Sequence, residues 1–102
     1  TKMLEKKGAL VSVTATEHLF LPFTEVSDAG VELDVNGFLY EIRNVGDYPV
    51  YYNLDRPVTD FEYDVVFPGS IKIVGRVASK LYLKAPEGYA TKVKVNVLRV
   101  GG

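Results

Sequence analysis

The chain has 102 residues, 47% of them hydrophobic and 25% charged, with no cysteine and a formal net charge of −1. This length fits one domain with one core, and the lack of cysteine excludes disulfides and thiolate metal sites. No apolar run approaches the roughly 18 residues that a membrane-spanning helix needs. We therefore predict a single globular domain over residues 1–102 with no membrane contact.

The charged residues are unevenly distributed along the chain. Residues 17–64 hold eleven acidic side chains against two arginines, whereas residues 65–102 hold seven basic side chains against one glutamate. If the two halves occupy separate regions, the fold presents two oppositely charged surfaces that orient docking. If their strands interleave, the charges mix. The sequence leaves both interpretations open.

The first predicted elements are strands, because apolar residues recur with a period of two. The first strand contains Val11, Val13 and Ala15, and it follows a segment, residues 1–8, that lies outside the pattern. We interpret residues 1–8 as a mobile or partner-binding arm. Its three lysines, Lys2, Lys6 and Lys7, are candidate interface residues.

A hairpin is predicted next. The runs 31–35 and 38–42 both alternate, and Asn36-Gly37 stands between them. Asn-Gly is the preferred two-residue turn of hairpins because both residues tolerate positive φ. The inward residues are predicted to be Val31, Leu33 and Val35 on one strand, and Phe38, Tyr40 and Ile42 on the other.

The alternation continues to the end of the chain, with turns at Gly46-Asp47, Pro68-Gly69 and residues 86–88. The residues predicted to face the core are Val50, Tyr52, Leu54, Phe61, Tyr63, Val65, Ile71, Ile73, Val77, Leu81, Leu83, Ala85, Val93, Val95 and Val97. A slip at Val97-Leu98 indicates a bulge or a strand end. Eight or nine short strands, with turns about every ten residues and no amphipathic helix, predict an all-β fold. The expected architecture is an antiparallel two-sheet β-sandwich of jelly-roll type.

No catalytic or metal-binding constellation is visible. His18 is the only histidine, and no nucleophile motif accompanies it, so we interpret it as a surface or packing residue. One histidine without cysteine excludes the common zinc sites. Asp60, Glu62 and Asp64 share one predicted strand face, which indicates either a solvated face or a calcium site. We predict a chain that is not an enzyme and needs no cofactor.

Aromatic residues are concentrated in the middle of the chain, where Tyr48, Tyr51, Tyr52, Phe61 and Tyr63 fall within sixteen residues. The alternation leaves Tyr48, Tyr51 and, later in the chain, Tyr82 on the surface. Exposed tyrosines beside carboxylates stack on sugar rings or anchor protein interfaces, although tyrosine is also a common strand residue. Basic residues such as Lys80 and Lys84 flank Tyr82, but without an overall positive charge nucleic-acid binding is disfavoured.

Four stretches of the sequence resemble small β-sandwich structural proteins of tailed bacteriophages, including capsid decoration (cement) proteins. They are Ile42-Arg43-Asn44-Val45-Gly46-Asp47-Tyr48-Pro49-Val50-Tyr51-Tyr52-Asn53, Pro68-Gly69-Ser70-Ile71, Ser79-Lys80-Leu81-Tyr82-Leu83-Lys84-Ala85 and Ala90-Thr91-Lys92-Val93-Lys94-Val95. The resemblance covers residues 42–97. It implies a module on the capsid surface of a virion that holds a lattice together. The implied partners are other copies of the chain and a capsid or other virion protein.

A second interpretation comes from a different class of protein. The chain is then a carbohydrate-binding β-sandwich that uses Tyr48, Tyr51 and Tyr82 as its exposed aromatic surface.

Overall fold

The computed structural model describes residues 16–100, which form seven β-strands and, over this range, no helix. The strands are β1 (Thr16–Phe20), β2 (Thr24–Ser27), β3 (Val31–Asn44), β4 (Val50–Leu54), β5 (Asp64–Val66), β6 (Ile71–Lys84) and β7 (Ala90–Val100). Because no helix is present in this part of the chain, none of it crosses a membrane as a helix. The strand predicted at Val11–Ala15 and the arm with Lys2, Lys6 and Lys7 lie outside the described residues.

Every strand pairing is antiparallel, so the predicted all-β antiparallel class is confirmed. Hydrogen bonds join the strands in the order β1-β7-β3-β6-β4-β5, with β2 also paired to β7. β1 and β2 share one edge of β7, since β1 pairs with its C-terminal half and β2 with its first four residues. The seven strands thus belong to one hydrogen-bonded sheet, and the division into two sheets is not seen in the hydrogen bonding.

The sheet curls so that one face, here called the inner face, is buried. The amide of Ala85, just after β6, donates to the carbonyl of Ser27 in β2 (3.0 Å) and so brings two distant parts of the sheet together. The core consists of Val26, Val35, Tyr40, Ile42, Val50, Tyr52, Leu54, Val66, Ala78, Leu81, Leu83, Ala85, Val93, Val95 and Val97. Burial of this apolar surface is the main stabilising term. The inward residues predicted for 50–54, 81–85 and 93–97 are confirmed.

The predicted hairpin at Asn36-Gly37 is wrong, because β3 runs through it as one strand of 14 residues. Asn36 does take a positive φ of 46°, but Gly37 does not, and the tight turn requires both. The pairing with β6 instead shifts register on both sides of Gly37, which is the signature of a bulge. The extra residue moves the alternation by one position, so Val35 and Tyr40 face the same side.

Some residues predicted to face the core are exposed. Phe61 and Tyr63, with 97% and 49% of their surfaces exposed, lie in the loop between β4 and β5 rather than in a strand. Ile73 and Val77 belong to β6, yet 65% and 81% of their surfaces are exposed, as is 43% of Ile71. The register explains their exposure: Ile71 and Ile73 lie opposite Arg43 and Glu41 on the outer face of the sheet, whereas Val74 lies opposite the buried Tyr40 and packs against the core.

The predicted bulge or strand end at Val97-Leu98 is also wrong. β7 continues to Val100, and its pairings with β1 and β3 pass through Leu98 without a register shift. Leu98 therefore stays in the alternation and lies on the outer face of the sheet, opposite the core.

The charges of the two halves of the sequence mix in the sheet. Lys80 of β6 lies 2.6 Å from Glu32 and 2.9 Å from Asp34, both in β3. Arg99 of β7 lies 2.9 Å from Glu17 in β1. Because the basic strands β6 and β7 pair with acidic neighbours, the interleaved interpretation holds at these pairs.

Candidate interaction surfaces

An apolar groove lies on the outer face where β1, β7, β3 and β6 run side by side. Its lining includes His18, Phe20, Leu39, Ile73 and Leu98, and its volume is about 310 Å³. The strand register builds it directly, since Leu98 is opposite both His18 and Leu39. We call this surface the outer groove.

The outer groove is apolar at its rim and polar between its strands. Phe20 and Ile73 each expose 65% of their surface, and Leu39 exposes 37%. Between them the Asn96 amide nitrogen donates to the Glu41 carboxylate (2.7 Å), while the buried Asn96 Oδ1 has no donor among residues 16–100. Contiguous exposed apolar side chains of this kind usually mark a contact surface.

Basic side chains border the outer groove on one side. Arg43 and Lys94 lie directly opposite each other on β3 and β7, one step along from the Glu41–Asn96 pair. Lys94 Nζ lies 5.8 Å from the centroid of the Phe23 ring. Neither Arg43 nor Lys94 forms an ion pair within the described part of the chain. Two like charges in adjacent positions repel each other and favour an acidic partner.

The edge of β6 beside the outer groove carries backbone groups without a strand partner among residues 16–100. Residues 71–77 pair with β3 on one side only, and β4 pairs with β6 only from Leu81 onward. Such an edge is a template for another strand. Asp55 closes its far end, because Asp55 Oδ1 accepts from the amides of Lys80 (3.0 Å) and Ser79 (2.8 Å). These hydrogen bonds, that of Lys80 first, lower the pKa of the Asp55 carboxyl.

A second groove, here called the tyrosine groove, lies near the other end of β6. Tyr51 and Tyr63 meet edge to face there, with ring centroids 4.9 Å apart. The groove has a volume of about 390 Å³, and the charged residues in its lining are Asp28, Asp60, Lys84 and Glu87. Within residues 16–100, no three acidic or histidine side chains are grouped as metal ligands.

The loop between β4 and β5 forms one wall of the tyrosine groove. The Asn53 amide holds it by donating to the carbonyls of Pro57 (3.4 Å) and Glu62 (3.3 Å). Arg56 and Glu62 form an ion pair across it at 3.3 Å. The loop is therefore tied to β4 rather than loose.

The three predicted surface tyrosines occupy different places. Tyr51 lines the tyrosine groove, and Tyr82 lines a neighbouring depression of about 330 Å³ that shares Val58 and Lys84 with it. Tyr48 lies outside both and stacks on Tyr89 at a centroid distance of 4.5 Å. The alternation missed Tyr63 and assigned it to the core, although Arg56-Pro57 before it is a strand-breaking signal.

His18 is a groove residue with an aromatic neighbour, since its ring centroid lies 5.3 Å from that of Phe20.

Comparison of the chain with protein-family models, with curated proteins and with solved structures finds no match. The two grooves and the edge of β6 are therefore the features of the molecule that indicate a function.

Proposed function

We propose that the chain is a non-enzymatic structural component of a virion, of the capsid decoration or cement type, that acts through protein–protein contacts. The observation that carries this proposal is the exposure of Phe20, Leu39 and Ile73 in one groove beside the unpaired edge of β6. Water contact with that much apolar surface is unfavourable by roughly 25 cal/mol per Å² relative to burial. A chain that binds a lattice recovers this free energy on docking.

The surface combines the two kinds of contact that a cement protein needs. The outer groove provides apolar side chains, and residues 71–77 provide backbone donors and acceptors for an added strand. Arg43 and Lys94 add a charge that selects an acidic neighbour and steers its approach. The resemblance over residues 42–97 includes this half of β6.

Co-sedimentation with empty capsid shells tests the proposal, the shells being assembled from the major capsid protein of the virus that encodes this chain. We expect the chain to pellet with shells, and Ile73→Lys to weaken this binding roughly tenfold or more, because a charge then enters the apolar contact. Val45→Lys is the matched control, since Val45 is 44% exposed but lies outside the outer groove. A chain that never pellets, or an Ile73→Lys variant that binds as the wild type does, contradicts the proposal.

The tyrosine groove favours a second candidate function, carbohydrate binding. Tyr51 and Tyr63 present ring surface beside Asp28, Asp60 and Glu87, and carboxylates are good acceptors for sugar hydroxyls. The chain contains no tryptophan, so its fluorescence comes from its seven tyrosines, and substitution of Tyr51 identifies the part that comes from this groove.

A glycan screen followed by fluorescence titration tests this second candidate. We expect a saturable change in tyrosine fluorescence that Tyr51→Ala abolishes. Tyr89→Ala is the control, because Tyr89 belongs to the other tyrosine pair. A titration that Tyr51→Ala and Tyr89→Ala change equally counts against the tyrosine groove as the site.

A further inference from the structure

Phe61 is the most exposed large apolar side chain described, with 97% of its surface in contact with solvent. The backbone that carries it is held by hydrogen bonds, because Thr59 Oγ1 accepts from the amides of Phe61 (3.3 Å) and Glu62 (3.1 Å). Exposing a side chain of this size costs roughly 1.5–3 kcal/mol relative to burying it. A fully exposed phenyl ring on a hydrogen-bonded loop has the form of an interface anchor.

The charges next to Phe61 are opposite to those next to the outer groove. Asp60 and Glu62 flank Phe61 in the sequence, with Glu62 paired to Arg56, whereas Arg43 and Lys94 border the outer groove. Glu41 is an acidic residue within the groove, and its carboxylate already accepts a hydrogen bond from the side-chain amide of Asn96. An acidic loop with an aromatic tip thus matches an apolar groove with a basic border in both shape and sign.

The anchor and the groove lie at opposite ends of β6. Ile73 lines the outer groove, and Lys84 lines the tyrosine groove. One wall of the tyrosine groove is the loop between β4 and β5, which carries Phe61. Ile73 and Lys84 are 84 − 73 = 11 residues apart on one strand, or up to roughly 36 Å at about 3.3 Å per residue. Phe61 does not line the outer groove of its own chain and remains exposed, so the groove is open to another occupant.

We infer that copies of this chain bind one another head to tail, with Phe61 of one copy seated in the outer groove of the next. This inference rests on the proposed function in taking the outer groove as a contact surface, and it names a second copy as the occupant of the groove when the chain is not docked on a capsid. A contact between two different patches is heterologous, so it repeats from copy to copy and forms a ring or an open chain. The Asp60 and Glu62 carboxylates then lie near Arg43 and Lys94.

Light scattering on the full chain over a concentration series tests the inference. We expect the wild-type mass to rise with concentration beyond that of a dimer, and to fall at high salt because the contact is charged. Phe61→Ser removes the anchor and Ile73→Lys blocks the groove, so each variant alone is expected to stay monomeric. Both residues are exposed, and far-UV circular dichroism checks that each variant is folded.

Mixing the two variants gives the decisive measurement. Phe61→Ser retains an open groove and Ile73→Lys retains an anchor, so an equimolar mixture is expected to form heterodimers and nothing larger. Val45→Lys is expected to associate as the wild type does.

Three results overturn the inference: a wild type that stays monomeric at millimolar concentration, a closed dimer that both variants still form, or a mixture that stays monomeric. The shell experiment separates this failure from that of the proposed function, since it is run at concentrations where the chain is monomeric. If the chain binds shells but does not associate with other copies of itself, only the head-to-tail contact is contradicted.

Discussion

At the scale of single residues, Asn44 is the polar centre of an otherwise apolar core. Its amide nitrogen donates to the carbonyls of Tyr48 (2.7 Å) and Val66 (2.9 Å). Its Oδ1 accepts from the Gly46 amide (3.0 Å) and from the Thr91 hydroxyl (2.9 Å). All four hydrogen bonds of this fully buried side chain are made, so its burial carries no unsatisfied group. Asn44 thereby ties the turn that carries Tyr48 to β5 and β7.

Gly37 lies close against β7. A Cβ atom there would overlap Val97 Cγ1 and lie 3.0 Å from the Leu98 carbonyl oxygen. We expect Gly37→Ala to lower the free energy of unfolding by about 1–3 kcal/mol, because β7 must move to admit the methyl group.

Gly75 provides the matched control for Gly37 in the paired strand β6. Its nearest neighbour to an added Cβ is Leu39 Cδ1 at 3.7 Å, an ordinary contact. Gly75→Ala is therefore expected to be neutral or slightly stabilising, since it reduces the freedom of the unfolded chain. Urea unfolding of both variants measures the difference, and equal midpoints contradict the proposed crowding at Gly37.

Asp55 makes stability depend on pH. Its folded-state pKa lies below the ordinary value of 3.8, so its contribution is complete above that value and is lost as the pH falls through the folded-state pKa. Asp55→Asn keeps the Oδ1 acceptor and tolerates the φ of 63°, so we expect it to be less acid-sensitive than the wild type. Asp55→Ala is expected to be less stable than Asp55→Asn at neutral pH.

Urea unfolding at neutral pH and at about pH 3 measures both effects of Asp55. If the wild type and Asp55→Asn lose stability in parallel on acidification, Asp55 is not the group responsible.

At the scale of elements, β6 is a single strand with two different halves. Ala78, Leu81 and Leu83 in its second half face the core and are buried, whereas the register shift next to Ala78 turns Ile73 to the outer face. Ile73 and Val77 in the first half remain exposed. One strand therefore contributes both to the core and to the proposed contact surface.

The arm over residues 1–8 is expected to serve assembly rather than folding. Within the described residues, 16–100, the core cluster runs from Val26 to Val97, and we expect deletion of residues 1–8 to leave the urea midpoint unchanged. Binding to capsid shells is expected to weaken, because the deletion removes Lys2, Lys6 and Lys7. Co-sedimentation and urea unfolding of the truncated chain measure the two effects.

A variant with all three lysines of the arm changed to glutamine separates its charge from its length. Shell binding by the truncated chain that equals that of the wild type contradicts a role for the arm.

At the scale of the whole molecule, the topology decides how charge is distributed. Ion pairs such as Lys80 with Glu32 and Arg99 with Glu17 join residues far apart in the sequence, because β6 and β7 lie beside β3 and β1. Some charge remains locally segregated, with Asp60 and Glu62 on the Phe61 loop and Arg43 and Lys94 beside the outer groove. The proposed head-to-tail contact brings these locally segregated charges of opposite sign together.

The sequence by itself determined the all-β class and the strands and buried faces over 50–54, 81–85 and 93–97, but it did not predict β1 or β2. Alternation with a period of two is a local property of the chain, so Val93, Val95 and Val97 were predicted to face the core without knowledge of their neighbours. The placement of Tyr51 and Tyr82 on the surface follows from the same alternation, and both residues line grooves there.

Only the tertiary structure decided which alternating runs are covered and which turn signals are used. Ile73 and Phe61 belong to runs as regular as those of the core, but Ile73 lies on the outer face opposite Glu41 and Phe61 lies in the loop between β4 and β5. Strand register and the start of a strand depend on long-range pairing. Asn36-Gly37 forms a bulge rather than a hairpin because β7 passes close to Gly37 and pairs with the continuing strand. The tyrosine groove likewise requires the fold of the β4–β5 loop, which brings Tyr63 to Tyr51.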